Sequence, residues 1–413
     1  MIARFILLPS AALVVIVSLC GCPAESLENA RRRTTAKRPP VLIVSLDGFR
    51  HDYPDLAGMK TFARLTREGA RALRQLPGFP SQTFPAHATL ATGASAGRHG
   101  IINNVFHDRR RGTYRFAKQV SWYEVPPLWI HAQRHGLRSF VYHWISNDGS
   151  YQGTQPTRYH SFDPKITDAA KLETVVSWFK LPRDERPDLA MVYLHACDRA
   201  GHLYGPASEQ LKRCALRIDR QLGQLLDRLR ALNTAVTLLI VSDHGMTPTL
   251  GDINPLRLLE RAKLADQARL LTTGPIGHLY AIDPRQISAL QTALRSLPHS
   301  RVFRQAELPA KWRYLHRQRS GDLVLVADDG YRFNTAGARL LNPPEHPGHH
   351  GHAAEHPDMA GVLFAWGAGI RPAARLARVR AHDVVPTACR LLGITPPGHS
   401  EGRVLFELLR RDR

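Results

Sequence analysis

A single hydroxyl group in unusual surroundings is the first feature of this sequence that could do chemistry. Thr83 lies in a proline-rich stretch, Gln75-Leu-Pro-Gly-Phe-Pro-Ser-Gln-Thr83-Phe-Pro-Ala-His87, just ahead of small residues (88–93) that predict a helix. A threonine hydroxyl is a poor nucleophile at neutral pH unless a base or a metal removes its proton. The interpretation of Thr83 therefore depends on whether the sequence also provides metal ligands.

Four other segments carry residues of metal-ligand type. These candidate ligands are Asp47, Asp198, His202, Asp243, His244 and His350. Three carboxylates and three imidazoles, without a cysteine, suit borderline divalent ions such as zinc. Six ligands are too many for one tetrahedral ion but enough for two, with the nucleophile and substrate oxygens completing the coordination. The set predicts a two-metal hydrolase.

Each candidate ligand also has a structural interpretation. An aspartate after an apolar run, such as Asp47, is commonly a turn residue. Asp198 and His202 are four residues apart and suit one face of a helical turn, although nearby glycines suit a loop equally well. His350 lies among four other histidines, a composition typical of an exposed loop, and its Gly-x-His-Gly frame favours it over His349.

Taken in order, these motifs resemble the nucleotide pyrophosphatase/phosphodiesterases, a branch of the alkaline phosphatase superfamily, over about residues 40–409. The resemblance implies one zinc ion held by Asp198, His202 and His350, and a second held by Asp47, Asp243 and His244. It implies that Thr83 is a nucleophile forming a covalent phospho-threonine. It also implies that Asn104, in Gly100-Ile-Ile-Asn-Asn104, stabilises a phosphate oxygen.

The implied activity is hydrolysis of phosphodiester or pyrophosphate bonds in nucleotides, dinucleotides or related diesters, with release of a monophosphate. A phosphomonoesterase or phosphonate hydrolase with the same metal core is the alternative. The diesterase is favoured by Asn104. It is also favoured because the sequence near Thr83 has no evident set of carboxylates for a third metal ion and no evident arginine that would bind the phosphate. A second alternative is a non-catalytic, basic, metal-binding lipoprotein.

Two phenylalanines match the family's substrate-binding aromatic residues. The resemblance implies that Phe84 stacks on a nucleobase and that Phe162 replaces the usual opposing tyrosine, whereas packing in the core or a loop is the structural alternative for Phe84. The chain departs from the family at residues 144–149, at Ala86 and at Cys197. No departure removes a ligand, but together they weaken the case for one particular nucleotide.

The first residues predict export. An apolar stretch from Phe5 to Leu19 has the length of a signal-peptide core and is too short for a membrane span. Leu19-Cys-Gly-Cys22 resembles a bacterial lipobox, so residues 1–21 are interpreted as a lipoprotein signal peptide and Cys22 as the lipidated residue. An ordinary cleaved signal is the alternative. We expect a membrane-anchored lipoprotein facing the periplasm or the cell exterior, with residues 22–39 as a basic tether.

Charge and cysteine content limit the partners further. The chain has 56 Lys and Arg against 35 Asp and Glu, a formal net charge of +21, which favours anionic lipids and phosphate substrates. Specific nucleic-acid binding is not expected, because no recognition helix, zinc finger or RNA-binding signature is present. After cleavage Cys197, Cys214 and Cys389 remain. At most one disulfide could form among these three cysteines, and the core is expected to be stable without disulfides.

Apolar runs alternating with amphipathic segments predict an α/β fold, an alkaline-phosphatase-like, mostly parallel central sheet flanked by helices. The predicted core strands are Val41 to Leu46, Ser139 to Trp144, Leu189 to Leu194, Ala235 to Val241 and Val362 to Trp366. Leucines recurring from Leu211 to Leu229 predict a helix beginning near Ser208. Another helix is predicted at Val384 to Leu392, ended by Gly393. Residues 40–250 and 345–413 are assigned to the catalytic domain, and residues 251–344 to an inserted α+β subdomain.

Overall fold

A computed structural model describes residues 38–232 and 234–410. The strands in these residues are β1 Val41–Leu46, β2 Ala70–Leu76, β3 Val105–Asp108, β4 Gly112–Arg115, β5 Ser139–Tyr142, β6 Arg158–His160, β7 Leu189–Leu194, β8 Thr237–Val241, β9 Thr247–Pro248, β10 Gly251–Ile253, β11 Ala268–Thr273, β12 Ile276–Ala281, β13 Ser300–Arg304, β14 Leu323–Ala327, β15 Tyr331–Phe333, β16 Leu341–Asn342, β17 Gly348–His349, β18 Gly361–Gly367 and β19 Ala374–Arg380. The α-helices are α1 Lys60–Glu68, α2 Thr83–Thr92, α3 Ala96–His99, α4 Leu128–Arg134, α5 Asp168–Lys180, α6 Ala196–Tyr204, α7 Glu209–Ala231, α8 Leu256–Arg261, α9 Ile287–Ala293 and α10 Val384–Leu392. The predicted signal peptide and Cys22 lie outside the described residues. Within those residues, no helix has the length and apolar character needed to cross a membrane.

Eight strands form the central sheet, in the order β19-β2-β18-β8-β1-β7-β5-β6. β18 is antiparallel to both of its neighbours, and every other pair in this sheet is parallel. All residues of β1, β7 and β8 are buried, as expected for central strands covered on both faces. The predicted mostly parallel α/β sheet is confirmed.

The predicted core elements differ from the observed ones only at their ends. β1 and β7 have the predicted bounds, but the strand predicted to reach Trp144 ends at Tyr142. The next residue, His143, has a φ of 58°, in the left-handed region that an extended strand does not use. α7 begins after Ser208, whose hydroxyl accepts the N–H of Leu211 at 3.2 Å as a helix cap.

The carboxyl ends of the parallel strands gather the candidate site residues at one edge of the sheet. Asp47 directly follows β1, Asp243 lies two residues after β8, and α6, which carries Asp198 and His202, begins two residues after β7. The loop after β2 leads into α2, so that Thr83 is the first helical residue. Four separate chain segments therefore meet at this edge.

Residues 251–344 contain a separate four-stranded sheet, in the order β11-β12-β14-β13, with its own apolar core around Leu279, Leu290 and Leu325. Just outside this segment, β9 and β17 pair with each other. The pairing brings the two ends of residues 251–344 together and returns the chain to the vicinity of His244. His350, the residue after β17, is thereby placed at the same edge of the sheet.

Candidate functional site

Three aspartates at the sheet edge have oxygen atoms without a hydrogen-bond partner. Asp47 and Asp243 are 2% and 0% exposed, and the buried unpartnered atoms are Asp47 Oδ1, Asp198 Oδ1 and Asp243 Oδ2. Buried carboxylate oxygens without donors are costly. Gly48 allows the close approach of these segments, since it has a φ of 64° and an added Cβ would lie 2.9 Å from the Asp198 Cα.

The three candidate histidines are all oriented in the same way. Each donates from Nδ1 to a backbone carbonyl 2.9 Å away: His202 to Gly348, His244 to Gly245 and His350 to Ser81. In the neutral form of each ring Nδ1 then holds the proton, so that Nε2 presents its lone pair toward the aspartates. This is the arrangement by which histidine metal ligands are usually held in place.

The ligand atoms form two groups that share Asp198. In one group, Asp198 Oδ1 lies 3.4 Å from His202 Nε2 and 3.5 Å from His350 Nε2. The other combines Asp47, Asp198 and His244, with 3.4 Å between Asp47 Oδ1 and His244 Nε2. Asp243 joins through His244, since its Oδ2 is 3.1 Å from Nε2. Asp198 is thus placed between the groups instead of belonging to one.

The electrostatics of the cluster favour a cation. Burial, together with repulsion from Asp243 and Asp198, raises the pKa of Asp47 well above its ordinary value. Burial opposes ionisation of Asp243 too, but the adjacent His244 and His87 hold its pKa well below the ordinary range. A divalent ion would offset both the burial and the mutual repulsion of these carboxylates. Unpartnered oxygens and free Nε2 atoms fit such ions.

Thr83 lies at this cluster. Its Oγ1 is 3.3 Å from His244 Nε2. As the first residue of α2 it is also at a helix end where backbone N–H groups lack intrahelical partners, a favourable place for an anion. The hydroxyl and the candidate ligands are therefore brought together, although the ligands lie up to 267 residues from Thr83 in the chain.

Asn104 is held beside the nucleophile loop by a short network. Its Oδ1 accepts the N–H of Phe84 at 3.0 Å, and its Nδ2 donates to Gln82 Oε1 at 3.2 Å. Gln82 is anchored in turn, because its Nε2 donates to the Thr273 carbonyl at 3.0 Å. Asn104 is 8% exposed, and its hydrogen bonds to Phe84 and Gln82 fix the orientation of its amide.

A cavity of about 380 Å³ opens next to Thr83. Its lining includes Phe84, Phe162, Asn104, Asp47 and Asp198, and also Phe116, Lys118 and residues 144–147. Lys118 Nζ donates to the Phe162 carbonyl at 2.8 Å across this wall. Both phenylalanines singled out from the sequence therefore line one cavity, and the departure at residues 144–149 falls on its wall.

Sequence reasoning missed two buried residues that support the cluster. The Tyr193 hydroxyl donates to Asp47 Oδ2. His87 donates from Nδ1 to the Thr83 carbonyl at 2.9 Å, lies 3.2 Å from Asp243 Oδ2, and accepts the Ser45 hydroxyl at Nε2 at 2.9 Å. Tyr193 lies within a strand pattern and His87 within a helix pattern, so neither position signals a role until the fold is known.

The histidines near His350 are placed differently. His349 Nδ1 accepts the backbone N–H of His350 at 2.7 Å, and His352 lies beside Asp329, with 3.9 Å between Nδ1 and Oδ1. Neither joins the two ligand groups found in the described residues.

The fold and site define an α/β protein that brings a hydroxyl, a metal-ligand cluster and a substrate-sized cavity to the carboxyl edge of a parallel sheet. Residues 41–353 match the family model described as type I phosphodiesterase / nucleotide pyrophosphatase. The chain belongs to this family, as the order of its motifs predicted.

Three similar proteins illustrate the match. Human ectonucleotide pyrophosphatase/phosphodiesterase family member 1 is 26% identical over 91% of this chain, which spans only 42% of that protein. Bis(5′-adenosyl)-triphosphatase enpp4 of Xenopus laevis is 29% identical, covering 88% of this chain and 79% of its own length. The structure of an inactive threonine-to-alanine variant of murine ectonucleotide pyrophosphatase / phosphodiesterase 5, in complex with AMP, is 25% identical. It has a TM-score of 0.83 and covers 90% of this chain and 100% of its own.

Proposed function

We propose that this protein hydrolyses phosphodiester or pyrophosphate bonds in nucleotides or related diesters and releases a monophosphate. The observation that carries the proposal is the position of Thr83 Oγ1, 3.3 Å from His244 Nε2 and on the wall of the 380 Å³ cavity. The similar murine protein solved with AMP is inactive as a threonine-to-alanine variant. The similar Xenopus protein is named a bis(5′-adenosyl)-triphosphatase.

Two divalent ions are part of this proposal, and the set of O and N donors favours zinc. Asp198, His202 and His350 would hold one ion, and Asp47, Asp243 and His244 the other, with Asp198 close to both groups. When bound, such ions lower the pKa of a coordinated hydroxyl and neutralise charge on the phosphate. No side-chain general base is then required.

The remaining steps belong to the residues of the chain. The Thr83 oxygen attacks phosphorus in line with the leaving oxygen, and a phospho-threonine ester forms as the bond to the leaving group breaks. Water then attacks the ester from the opposite side, which regenerates the threonine hydroxyl and releases the monophosphate. Asn104 Nδ2, which has a second hydrogen besides the one donated to Gln82, and the backbone N–H of Thr83 are placed to stabilise a non-bridging oxygen as its charge grows.

The cavity favours a flat, partly apolar substituent on the phosphate. Phe84 and Phe162 both line it, and aromatic faces stack on any nucleobase. Phe162 has no hydroxyl to donate to a base, so we propose that nucleobase recognition here depends more on stacking than on hydrogen bonding. Comparison of kcat/KM among dinucleotides with different bases tests this part.

The test of the activity compares bis-p-nitrophenyl phosphate with p-nitrophenyl phosphate, using zinc-loaded protein. Thr83→Ala is expected to lower diester turnover by about 10³-fold or more, as for loss of other nucleophiles. Thr66→Ala is the matched control, because among the described residues the Thr66 hydroxyl bonds only to its own helix, at the Phe62 carbonyl. Preference for the monoester would favour the phosphomonoesterase alternative. Absence of any turnover that depends on Thr83 would refute the proposal.

Export and lipidation at Cys22 also remain proposals, supported by the signal-like residues 1–21. We propose that the mature protein is anchored by Cys22 with the basic tether next to the membrane. Fractionation of cells that produce the wild type and Cys22→Ser tests the anchor. Equal membrane association of both proteins would contradict lipidation at this residue.

A further inference from the structure

Two cysteines lie side by side beneath the candidate metal cluster. The Sγ atoms of Cys197, in the first turn of α6, and Cys214, in the second turn of α7, are 3.3 Å apart. Both side chains are buried, at 3% and 2% exposure. Cys389, the other cysteine in the described residues, belongs to the apolar layer on the opposite side of the sheet. The pairing is therefore unambiguous within these residues.

We propose that Cys197 and Cys214 form a disulfide that joins α6 to α7. Both S–H bonds break and one S–S bond forms, with loss of two protons and two electrons. The electrons go to the disulfide of a thiol–disulfide exchange partner, such as oxidised glutathione, which is reduced to two thiols through a mixed disulfide. Such a bond persists in an oxidising compartment.

The geometry requires little change. Sulfur atoms 3.3 Å apart must approach by roughly 1.2 Å to reach the bonded distance of about 2.05 Å. Arg217, one turn after Cys214 in α7, donates from Nη2 to the Cys214 sulfur at 3.3 Å. Because both sulfurs are buried, we place the oxidation during folding, before the two helices close over them.

The cross-link would brace the helix that carries Asp198 and His202. The start of α6 is already held by Asp168, whose carboxylate accepts the N–H of His195 at 3.3 Å and of Ala196 at 3.1 Å. Cys197 is the next residue, directly before the ligand Asp198. A disulfide there joins this capped turn to a 23-residue helix and restricts movement of the ligand pair.

The experiment refolds the full chain in a glutathione redox buffer with the poise typical of an oxidising compartment. Free thiols are then blocked with an alkylating reagent, and non-reduced peptides are identified by mass spectrometry. We expect a linked pair of peptides containing Cys197 and Cys214, two hydrogens lighter than the dithiol, while Cys389 is alkylated. Peptide mapping separates these cysteines from Cys20 and Cys22.

Thermal unfolding supplies the second measurement. Reduction is expected to lower the Tm of the wild type by about 5 °C, from the loop-closure effect of a short cross-linked loop in a protein of this size. Cys214→Ser should show a Tm that does not respond to reductant, whereas Cys389→Ser, the buried-cysteine control, should keep the response. Complete alkylation of Cys197 and Cys214 after refolding, or equal Tm values with and without reductant in the wild type, would overturn the proposal.

Discussion

The hydroxyl of Tyr193 offers a sharp test of how the candidate metal cluster is held. It donates to Asp47 Oδ2, leaving Oδ1, which has no donor, facing His244 Nε2 at 3.4 Å. The Tyr193 ring packs edge-on against His87, with centroids 4.8 Å apart. Tyr193→Phe removes the hydroxyl and preserves these ring contacts, so it isolates one hydrogen bond to a candidate ligand.

A hydrogen bond to a charged acceptor contributes about 1.5–3 kcal/mol. Loss of such an outer partner of a metal ligand typically costs about 10–100-fold in metal affinity, or about 1.4–2.8 kcal/mol. The same bond lowers the pKa of Asp47 against the effect of its burial, so its loss should make proton competition for the metal stronger. Tyr193→Phe is expected to bind zinc 10–100-fold more weakly, with the greater deficit at lower pH.

The assay is zinc binding in competition with a chromophoric chelator at two pH values. Tyr280→Phe is the matched control: the buried Tyr280 hydroxyl donates to the Arg319 carbonyl at 2.7 Å, and Tyr280, on β12, belongs to neither ligand group. Unchanged zinc affinity in a folded Tyr193→Phe protein would refute the reasoning. An equal loss in Tyr280→Phe would show that the effect is general destabilisation.

Three further predictions follow from the same structure. His87→Phe removes the contacts to Thr83 and Asp243 and should lower kcat by about 10-fold with a smaller change in KM, on the scale of lost outer-sphere contacts. Ser45→Ala, which leaves both contacts, is the control. Equal kcat values for His87→Phe and the wild type would count against a positioning role for His87. Chelation of the metal should lower Tm, since an ion at 100 times its Kd stabilises the folded state by about 2.7 kcal/mol; a Tm insensitive to chelator would contradict a buried site. Burial lowers the pKa of His278 from 6.5 to about 3. Between these two pH values His278 is therefore protonated in the unfolded chain and neutral in the folded protein. The free energy of unfolding then falls with falling pH, by up to about 1.4 kcal/mol per pH unit. His278→Gln should flatten this slope in denaturant titrations at pH 5 and 7, and an unchanged slope would rule out His278 as its source.

Local patterns were enough to predict much of the fold. Largely apolar runs such as Val41 to Leu46 predict central strands because such strands are covered on both faces. The leucine stripe of α7 and its Ser208 cap are similarly short-range signals. The end of β5 could not be predicted, because the left-handed conformation of His143 is set by the surrounding loop and not by its residue type.

The sequence by itself determined the family, the type of sheet and the list of candidate ligands, because these depend on residue type and on spacing within short segments. Only the tertiary structure decided that Asp198 lies between the two ligand groups, that Tyr193 and His87 support Asp47 and Asp243, and that Cys197 meets Cys214. Those contacts join segments on different strands and helices. Their distances are fixed by how the sheet and helices pack, which no local pattern records.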